Sequence, residues 1–166
     1  MDHNLNWYAA KTRANQEFSV SRRFSDLSIN TYIPTKQVDS KTQPILPNIV
    51  FVHTDKISAY EAINRYGLKI KYMVDAITKK ALIVPDKQMR DFMTVMDNYN
   101  EESVMLSSDF DLSPGDLVKI TSGPFSEVEG IFYEGNKNNI VIRVTGIATI
   151  SIELNKNTIE KINHHE

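Results

Sequence analysis

Hydrophobic positions in the first hundred residues follow two alternating periods. β-Branched and aromatic residues gather in short runs typical of strands, and the richest run covers residues 48–53. Between such runs lie stripes with helical spacing, such as Val20, Phe24 and Leu27 at i, i+4 and i+7. Glu17 precedes this stripe, where a negative charge favours the first turn of a helix. The predicted strands are residues 7–12, 31–34, 48–53, 69–74 and 80–84.

Two further helices are predicted in the same part of the chain. Ser58 and Glu61 have the spacing of a capping box, and the helix that they begin ends at Gly67. Its stripe consists of Ala59, Ala62, Ile63 and Tyr66. Pro85 begins another helix, whose stripe consists of Met89, Phe92, Met93 and Met96. A methionine stripe can form a soft binding surface, but packing of the helix on a sheet is the favoured interpretation.

The pattern changes beyond residue 97. Residues 97–111 are polar and predict a linker, and the helical period does not return after them. Five short β-rich runs separated by glycine-containing turns then predict a small barrel. The predicted fold is an α+β N-terminal domain, in which helices cover a mostly antiparallel sheet, followed by an all-β SH3-like barrel. The predicted domains are residues 1–100, a linker at 101–110, and residues 111–166.

Charge divides the chain in the same place, although the net charge is only -2. Residues 1–100 hold 14 Lys or Arg and 10 Asp or Glu, whereas residues 101–166 hold 5 and 11. A basic first part can approach phosphates and an acidic second part is repelled by them. Both balances are equally compatible with a merely solvated surface. The asymmetry fits two domains that have different partners.

Composition excludes several function classes. The chain has no cysteine, so disulfides and thiolate metal sites are excluded. No apolar run approaches the roughly 20 residues that span a bilayer, and the first residues lack the features of a signal peptide. We therefore expect a cytoplasmic protein.

Catalytic and cofactor motifs are missing from the sequence. The six glycines fall into no phosphate-loop or dinucleotide spacing, and no serine lies in a nucleophile elbow. The histidines have no metal-ligand spacing; they are His3, His53, His164 and His165. We expect no catalytic residue, no metal and no cofactor, and predict that the protein is not an enzyme.

The most specific motif lies at the start of the predicted barrel. Gly115, Val118 and Ile120 follow a turn, and Gly123-Pro124-Phe125 precedes a further glycine at Gly130. In a strand, such a glycine marks a sharp bend or the close approach of another backbone. The arrangement resembles the KOW motif, which implies an SH3-like KOW barrel.

The N-terminal part resembles the N-terminal (NGN) domain of the NusG family. Three segments carry the resemblance in the family's order: residues 7–12, which begin Trp-Tyr-Ala; Ile33-Pro34-Thr35; and residues 46–52, Leu-Pro-Asn-Ile-Val-Phe-Val. With the barrel included, the resemblance extends from about Leu5 to Ile162. It implies a transcription elongation or antitermination factor, possessing an NGN domain and a KOW domain.

The resemblance also implies three binding surfaces. The NGN domain of the family docks an apolar patch on the clamp helices of the largest RNA polymerase subunit; by position this patch is Tyr8, Ile45, Leu46, Pro47 and Ile49. It lies beside non-template DNA, which places Lys11, Arg13, Asn15, Gln16 and Arg22 near the nucleic acid. The KOW domain recruits a small-subunit ribosomal protein or the termination factor Rho, here through Phe125, Ile131 and Phe132.

Each surface has a structural alternative. Ile45 and Leu46 can pack in the domain's own core, although the flanking Pro44 and Pro47 argue against regular strand pairing there. The basic residues around the first strand–helix junction can equally be a solvated helix end. In the family's pattern, aromatic residues occupy positions 46 and 49 and a glycine occupies position 48, which is Asn48 here.

Three functional alternatives follow. The aliphatic patch and the acidic barrel favour a specialised RfaH-like or UpxY-like paralogue over the housekeeping factor. β-Branched residues at 140–144 and 147–152 disfavour the helical hairpin that the RfaH-like barrel can adopt. A ribosome- or RNA-associated KOW protein that binds structured RNA is the second alternative, and a small hydrolase or transferase is the third.

Overall fold

The structure is a computed structural model that describes residues 4–98, 104–107, 115, 117–134, 138–144, 147–153 and 159–162. The chain divides into two compact units, residues 1–86 and 87–166. Several positions singled out in the sequence lie outside the described residues; they are His3, Pro114, Asp116, Gly135, Asn136, Thr145, Gly146, His164 and His165.

The first unit is an α+β domain, as predicted. Its described residues form the elements β1 (Asn6–Lys11), α1 (Glu17–Asp26), β2 (Asn30–Tyr32), β3 (Thr35–Val38), β4 (Lys41–Pro44), β5 (Ile49–Thr54), α2 (Lys56–Asn64), β6 (Lys71–Tyr72) and β7 (Ile83–Val84). Five strands form one antiparallel sheet in the order β2-β5-β1-β6, and β7 also pairs with β1. β3 and β4 form a separate hairpin.

The core of this unit lies between the sheet and its two helices. Alternation along β1 and β5 directs one set of side chains to the helices, because successive strand residues point to opposite faces. The buried cluster comprises Tyr8, Ala10, Val20, Phe24, Val50, Val52, Ala59, Ala62, Leu68 and Tyr72. Phe24 and the alanines of α2 are almost wholly buried, which lets α2 approach the sheet closely. Small residues on one helix and a large residue on the other thus fill this layer.

Three local predictions need correction. The cap of α2 is Asp55, whose carboxylate accepts a hydrogen bond from the Ser58 backbone N–H at 2.8 Å, so the helix begins before the predicted capping box. Tyr66 lies beyond the end of α2 and is exposed. The predicted strands at 69–74 and 80–84 are shorter, since only β6, β7 and a bridge between Val74 and Ala81 form there.

The second unit contains an antiparallel sheet and one described helix. Its elements are α3 (Asp86–Asp97), β8 (Val104–Ser107), β9 (Leu117–Ile120), β10 (Glu129–Glu134), β11 (Asn138–Val144), β12 (Ala148–Glu153) and β13 (Ile159–Lys161). The six strands follow the order β13-β9-β10-β11-β12-β8. Strands β9 to β13 lie close to the five predicted runs. The closure of this sheet into an SH3-like KOW barrel stays a prediction, and so do the predicted domain boundaries.

β8 lies within the range predicted as a linker. It pairs with β12 from Val104 opposite Ile152 to Ser107 opposite Thr149. The apolar run Val-Met-Leu at residues 104–106 supplies strand-forming residues between polar flanks.

Helix α3 is bonded to the hairpin between β9 and β10. Lys87 Nζ lies 2.7 Å from the Asp91 carboxylate and donates to the Glu127 carbonyl at 3.0 Å. Asp91 in turn accepts from the Glu129 backbone N–H at 3.3 Å and is 7% exposed. Met89, Phe92 and Met96 are buried, in agreement with the packing interpretation of the methionine stripe. A buried carboxylate with two donors satisfies the requirement that buried charges be paired.

Candidate functional site

An apolar loop follows β4 in the first unit. Leu46 and Ile49 are half-buried and Pro47 is exposed, so three of the five predicted polymerase-binding residues reach the surface. Tyr8 is 3% exposed and Ile45 is 7% exposed, which places both in the interior of the unit. The Ile45 backbone N–H donates to the Pro34 carbonyl at 2.7 Å. Ile45 therefore packs in the domain's own core, which was the structural alternative for both residues, whereas Leu46 remains available at the surface.

Asn48 holds this apolar loop against the junction between β1 and α1. Its backbone N–H donates to the Glu17 carboxylate at 3.1 Å, and its carbonyl accepts from the Thr12 backbone N–H at 2.9 Å. Glu17 is 5% exposed, so this bond lies in a low-dielectric environment. Asn48 has φ 66°, a left-handed conformation that asparagine tolerates better than most residues. Asparagine can therefore occupy this left-handed position, where the family's pattern has a glycine.

A groove lies beside α1. Its volume is about 630 Å³ and its lining comprises Arg13, Ala14, Gln16, Ser19, Val20, Arg23, Leu68 and Lys69. Three of these residues are cationic, and Ala14, Val20 and Leu68 are apolar. The Arg23 guanidinium donates to the Tyr66 carbonyl at 2.7 Å, which fixes one of these cations in place. We call this feature the basic groove.

A second depression of about 440 Å³ shares Arg13 and Lys69 with the basic groove. Lys11 and Lys71 also line it. These two lysines are directly opposite each other in the pairing of β1 with β6. Like charges in facing cross-strand positions destabilise a sheet. Both lysines are exposed, and they concentrate positive charge in this depression.

The predicted DNA-contacting residues divide into two groups. Lys11, Arg13 and Gln16 line the basic groove or the depression next to it. Asn15 and Arg22 are exposed but lie outside both linings. Sequence reasoning missed Arg23, Lys69 and Lys71. The Lys-x-Lys spacing of residues 69 and 71 could have indicated two cations on one face of a strand, whereas the part played by Arg23 depends on a distant contact.

The predicted partner-binding residues of the second unit lie around β10. Phe125 is 9% exposed and belongs to the turn after β9, where the Val128 backbone N–H donates to its carbonyl. Ile131 and Phe132 are half-buried neighbours in β10. The two β10 side chains are therefore partly accessible, while Phe125 chiefly packs within the unit.

Comparison with known families decides the identity of the first unit. A family model described as transcription termination factor nusG matches residues 5–93, which is more than half of the chain. The chain belongs to the NusG family. The match includes the apolar loop and every residue that lines the basic groove. NusG-family proteins are transcription factors and not enzymes, in agreement with the sequence prediction.

One solved structure agrees with this fold. The NusG of Thermotoga maritima, from a study of its domain interaction, is 19% identical and superposes with a TM-score of 0.53 over 96% of this chain and 98% of that one. A chain of the MjSpt4:Spt5 complex in conformation B is 15% identical over 96% of this chain and 99% of that one, with a TM-score of 0.31. No curated protein sequence matches the chain. The first superposition agrees with an NGN fold for the α+β unit.

The described residues contain neither a candidate metal site nor a candidate membrane-spanning helix. Within the described residues, no group of three or more His, Asp or Glu side chains could hold a metal ion. Nor does any helix among them have the length and apolar character needed to cross a membrane.

Proposed function

We propose that this NusG-family protein is a transcription elongation or antitermination factor that docks the apolar loop on the clamp helices of the largest RNA polymerase subunit. The observation that carries the proposal is the surface accessibility of Leu46 and Pro47 in the loop between β4 and β5, and of Ile49 at the start of β5. The backbone of Asn48, between Pro47 and Ile49, is bonded to Glu17 and Thr12. A preorganised loop loses little conformational freedom on binding, so more of its contact energy contributes to affinity.

Burial of the apolar loop supplies the affinity. Full burial of a Leu or Ile side chain is worth roughly 1.5–3 kcal/mol, and both positions are already half-buried, so each adds a part of that amount. Tyr8 and Ile45 support the loop from the interior in this proposal, since neither has enough exposed surface for a direct contact.

The basic groove supports a contact with non-template DNA. Arg13, Arg23 and Lys69 line it, and the facing pair Lys11 and Lys71 continues it along the sheet. Backbone phosphates neutralise such clusters and make binding depend steeply on salt. The apolar residues of its lining, Ala14, Val20 and Leu68, suit bases of an unpaired strand better than a duplex, because an exposed base presents an apolar face.

The second unit is proposed to be a KOW domain that recruits a second protein, either a small-subunit ribosomal protein or Rho. Residues 101–166 carry more than twice as many acidic as basic side chains, which favours a protein partner over naked RNA. Ile131 and Phe132 provide a partly exposed apolar centre of the kind that protein interfaces contain. The aliphatic character of the apolar loop favours a specialised RfaH-like or UpxY-like paralogue that acts in the cytoplasm.

Capture of core RNA polymerase by the full chain tests the docking. We expect Leu46→Asp to abolish capture, because a carboxylate buried in an apolar contact costs several kcal/mol. Ile57→Asp is the matched control, since Ile57 is 64% exposed on α2 and lies outside the apolar loop. Circular dichroism establishes that both variants are folded.

Two results would contradict the proposal. Equal loss of capture in Leu46→Asp and Ile57→Asp would show that the contact does not depend specifically on the apolar loop. Absence of capture by the folded wild-type protein, together with salt-dependent binding of structured RNA, would favour the ribosome- or RNA-associated KOW protein instead.

A further inference from the structure

An isoleucine projects from the connection between β6 and β7. Ile77 is 91% exposed, the highest value among the large hydrophobic residues that the structure describes as exposed. Val74 and Ile83, which flank the connection, are 55% and 48% exposed. An apolar side chain held almost wholly in water gains nothing from the fold of its own domain. Its side chain is therefore available to a binding partner.

The connection is an ordered turn. The Asp75 carboxylate accepts hydrogen bonds from the backbone N–H groups of Ile77 and Thr78 at 2.8 and 2.9 Å. Two backbone bonds close the turn, from Asp75 N–H to the Lys80 carbonyl and from Lys79 N–H to the Asp75 carbonyl, at 2.8 and 2.9 Å. Ile77 is thus presented at a defined place, which reduces the entropy lost on insertion into a partner.

The segment that contains this isoleucine is rich in lysine. Residues 69–80 contain four lysines and a single acid, Asp75. Lys79 and Lys80 follow Ile77 in the turn and are exposed, and Lys69 and Lys71 line the depression next to the basic groove. Asp75 interacts with Lys79, and the four lysines leave the segment with a net positive charge.

We propose that Ile77 inserts between bases at the junction of duplex and single-stranded DNA, while Lys79 and Lys80 bind the flanking phosphates. Apolar wedges of this type partly unstack a base step, and the cost is smallest where a strand is already unpaired. An exposed apolar side chain followed by two exposed cations matches a base stack lined by phosphates.

Ile77 is close in the chain to the depression next to the basic groove. Lys71, which lines this depression, precedes Ile77 by six positions, a span of at most about 20 Å along an extended strand. That length corresponds to about six nucleotides at 3.4 Å per strand. In this proposal one strand of DNA lies in the groove and the adjoining duplex end meets Ile77. The inference rests on the proposed DNA contact of the groove, and not on the docking of polymerase.

The experiment uses the full chain and a forked DNA with 2-aminopurine in the last base pair before the fork. Unstacking of this base raises its fluorescence, and anisotropy of a labelled strand measures affinity on the same sample. We expect wild-type protein to raise the fluorescence and Ile77→Ser to abolish the rise while affinity changes less than about threefold, since phosphate contacts dominate affinity. Ile57→Ser, which alters the exposed isoleucine of α2, is the control and should behave as wild type.

The salt dependence of DNA binding tests the contacts of Lys79 and Lys80 separately. The slope of log affinity against log salt concentration falls by about 0.9 for each phosphate that the protein no longer neutralises, so Lys79→Gln with Lys80→Gln should reduce it by nearly 2. Ile77→Ser should leave the slope unchanged, because isoleucine releases no counterion.

Four outcomes overturn the inference. A fluorescence rise that persists in Ile77→Ser excludes a wedge at this residue, and a salt slope unchanged by the lysine substitutions excludes their phosphate contacts. A loss of polymerase capture in Ile77→Ser, with fork binding unaltered, assigns Ile77 to a protein partner instead. Polymerase capture by wild type without any fork binding would sink this inference and leave the docking proposal standing.

Discussion

The carboxylate of Glu17 accepts a hydrogen bond from the backbone N–H of Asn48 at 3.1 Å, which joins the first turn of α1 to the apolar loop. Thr12 bonds the carbonyl of the same residue from the end of β1. Arg13 and Gln16, which line the basic groove, lie between Thr12 and Glu17 in the chain. The proposed polymerase contact and the proposed DNA contact are therefore built on one junction, and a change at either side should affect both.

Loss of the Glu17 carboxylate should destabilise this junction. Glu17→Ala leaves the Asn48 N–H without its acceptor, and a hydrogen bond to a charged group is worth about 1.5–3 kcal/mol. Glu17→Gln keeps an acceptor oxygen and should cost less. Urea unfolding of the full chain, followed by circular dichroism, measures both variants. An unfolding free energy for Glu17→Ala equal to that of wild type would show that the bond contributes nothing.

The left-handed backbone of Asn48 should tolerate glycine and resist alanine. At φ 66° a Cβ atom costs about 1–2 kcal/mol, which asparagine partly offsets by local hydrogen bonding. We expect Asn48→Ala to lower the free energy of unfolding by about 1 kcal/mol and Asn48→Gly to change it little. Asn64→Ala at the end of α2 is the control, because that residue belongs to a helix. Equal stability of the alanine and glycine variants would contradict the argument.

Tyr72 should make the stability of the protein fall at high pH. Its hydroxyl donates to the Ala59 carbonyl at 2.7 Å, and burial, followed by the nearby Tyr8 and Tyr60, raises its pKa well above the usual 10.0. The unfolded chain loses this proton above pH 10 while the folded protein keeps it. The stabilisation from the neutral hydroxyl is thus complete below pH 10 and declines above it, by about 1.4 kcal/mol per pH unit.

Tyr72→Phe tests this linkage. The variant should lose about 1 kcal/mol at neutral pH through the missing hydrogen bond. Between pH 10 and 11.5, its unfolding free energy should decline less steeply than that of wild type. Tyr66→Phe, at a position that is 40% exposed, should retain the wild-type slope. If the unfolding free energies of wild type and Tyr72→Phe declined equally with pH, the pH dependence could not be assigned to Tyr72.

Gly115 should be intolerant of any side chain. A Cβ atom there would overlap the carbonyl oxygen of Phe132, so the backbone of β10 would have to move. Gly115→Ala should therefore destabilise the second unit by about 1–3 kcal/mol. Gly123→Ala is an informative comparison, because Gly123 has open space but φ 83° and should cost about 1–2 kcal/mol through backbone strain alone. Thermal unfolding monitored by near-ultraviolet circular dichroism measures the loss of stability of each variant relative to wild type.

Sequence patterns predicted those elements whose signal is local. The stripe of Val20 and Phe24 correctly indicated α1, and the β-branched run at 48–53 correctly indicated β5, which begins and ends one residue later. The hairpin of β3 and β4 escaped prediction because its strands are polar and show no alternation. Its turn places Asp39 and Ser40 at φ 51° and 64°, a conformation usually signalled by Asn-Gly.

Features that depend on distant residues could not be predicted. Arg22 and Arg23 are indistinguishable in sequence, but only Arg23 lines the basic groove and bonds to Tyr66, 43 residues away. Burial of Tyr8 and Ile45 likewise follows from packing and not from their spacing. Asp55 and Ser58 are both suitable caps, and the path of the chain out of β5 selects Asp55.

The sheet order of the first unit has a consequence for biosynthesis. β1 emerges early from the ribosome, yet it pairs with β5, β6 and β7, and Trp7 finds its partner Val84 only at the end of the unit. At about 5–20 residues per second, several seconds pass between the synthesis of these two residues. During that interval the edges of β1 lack their native partners and are open to non-native pairing. The speed of translation through residues 12–84 therefore sets how long the growing polypeptide is exposed to misfolding.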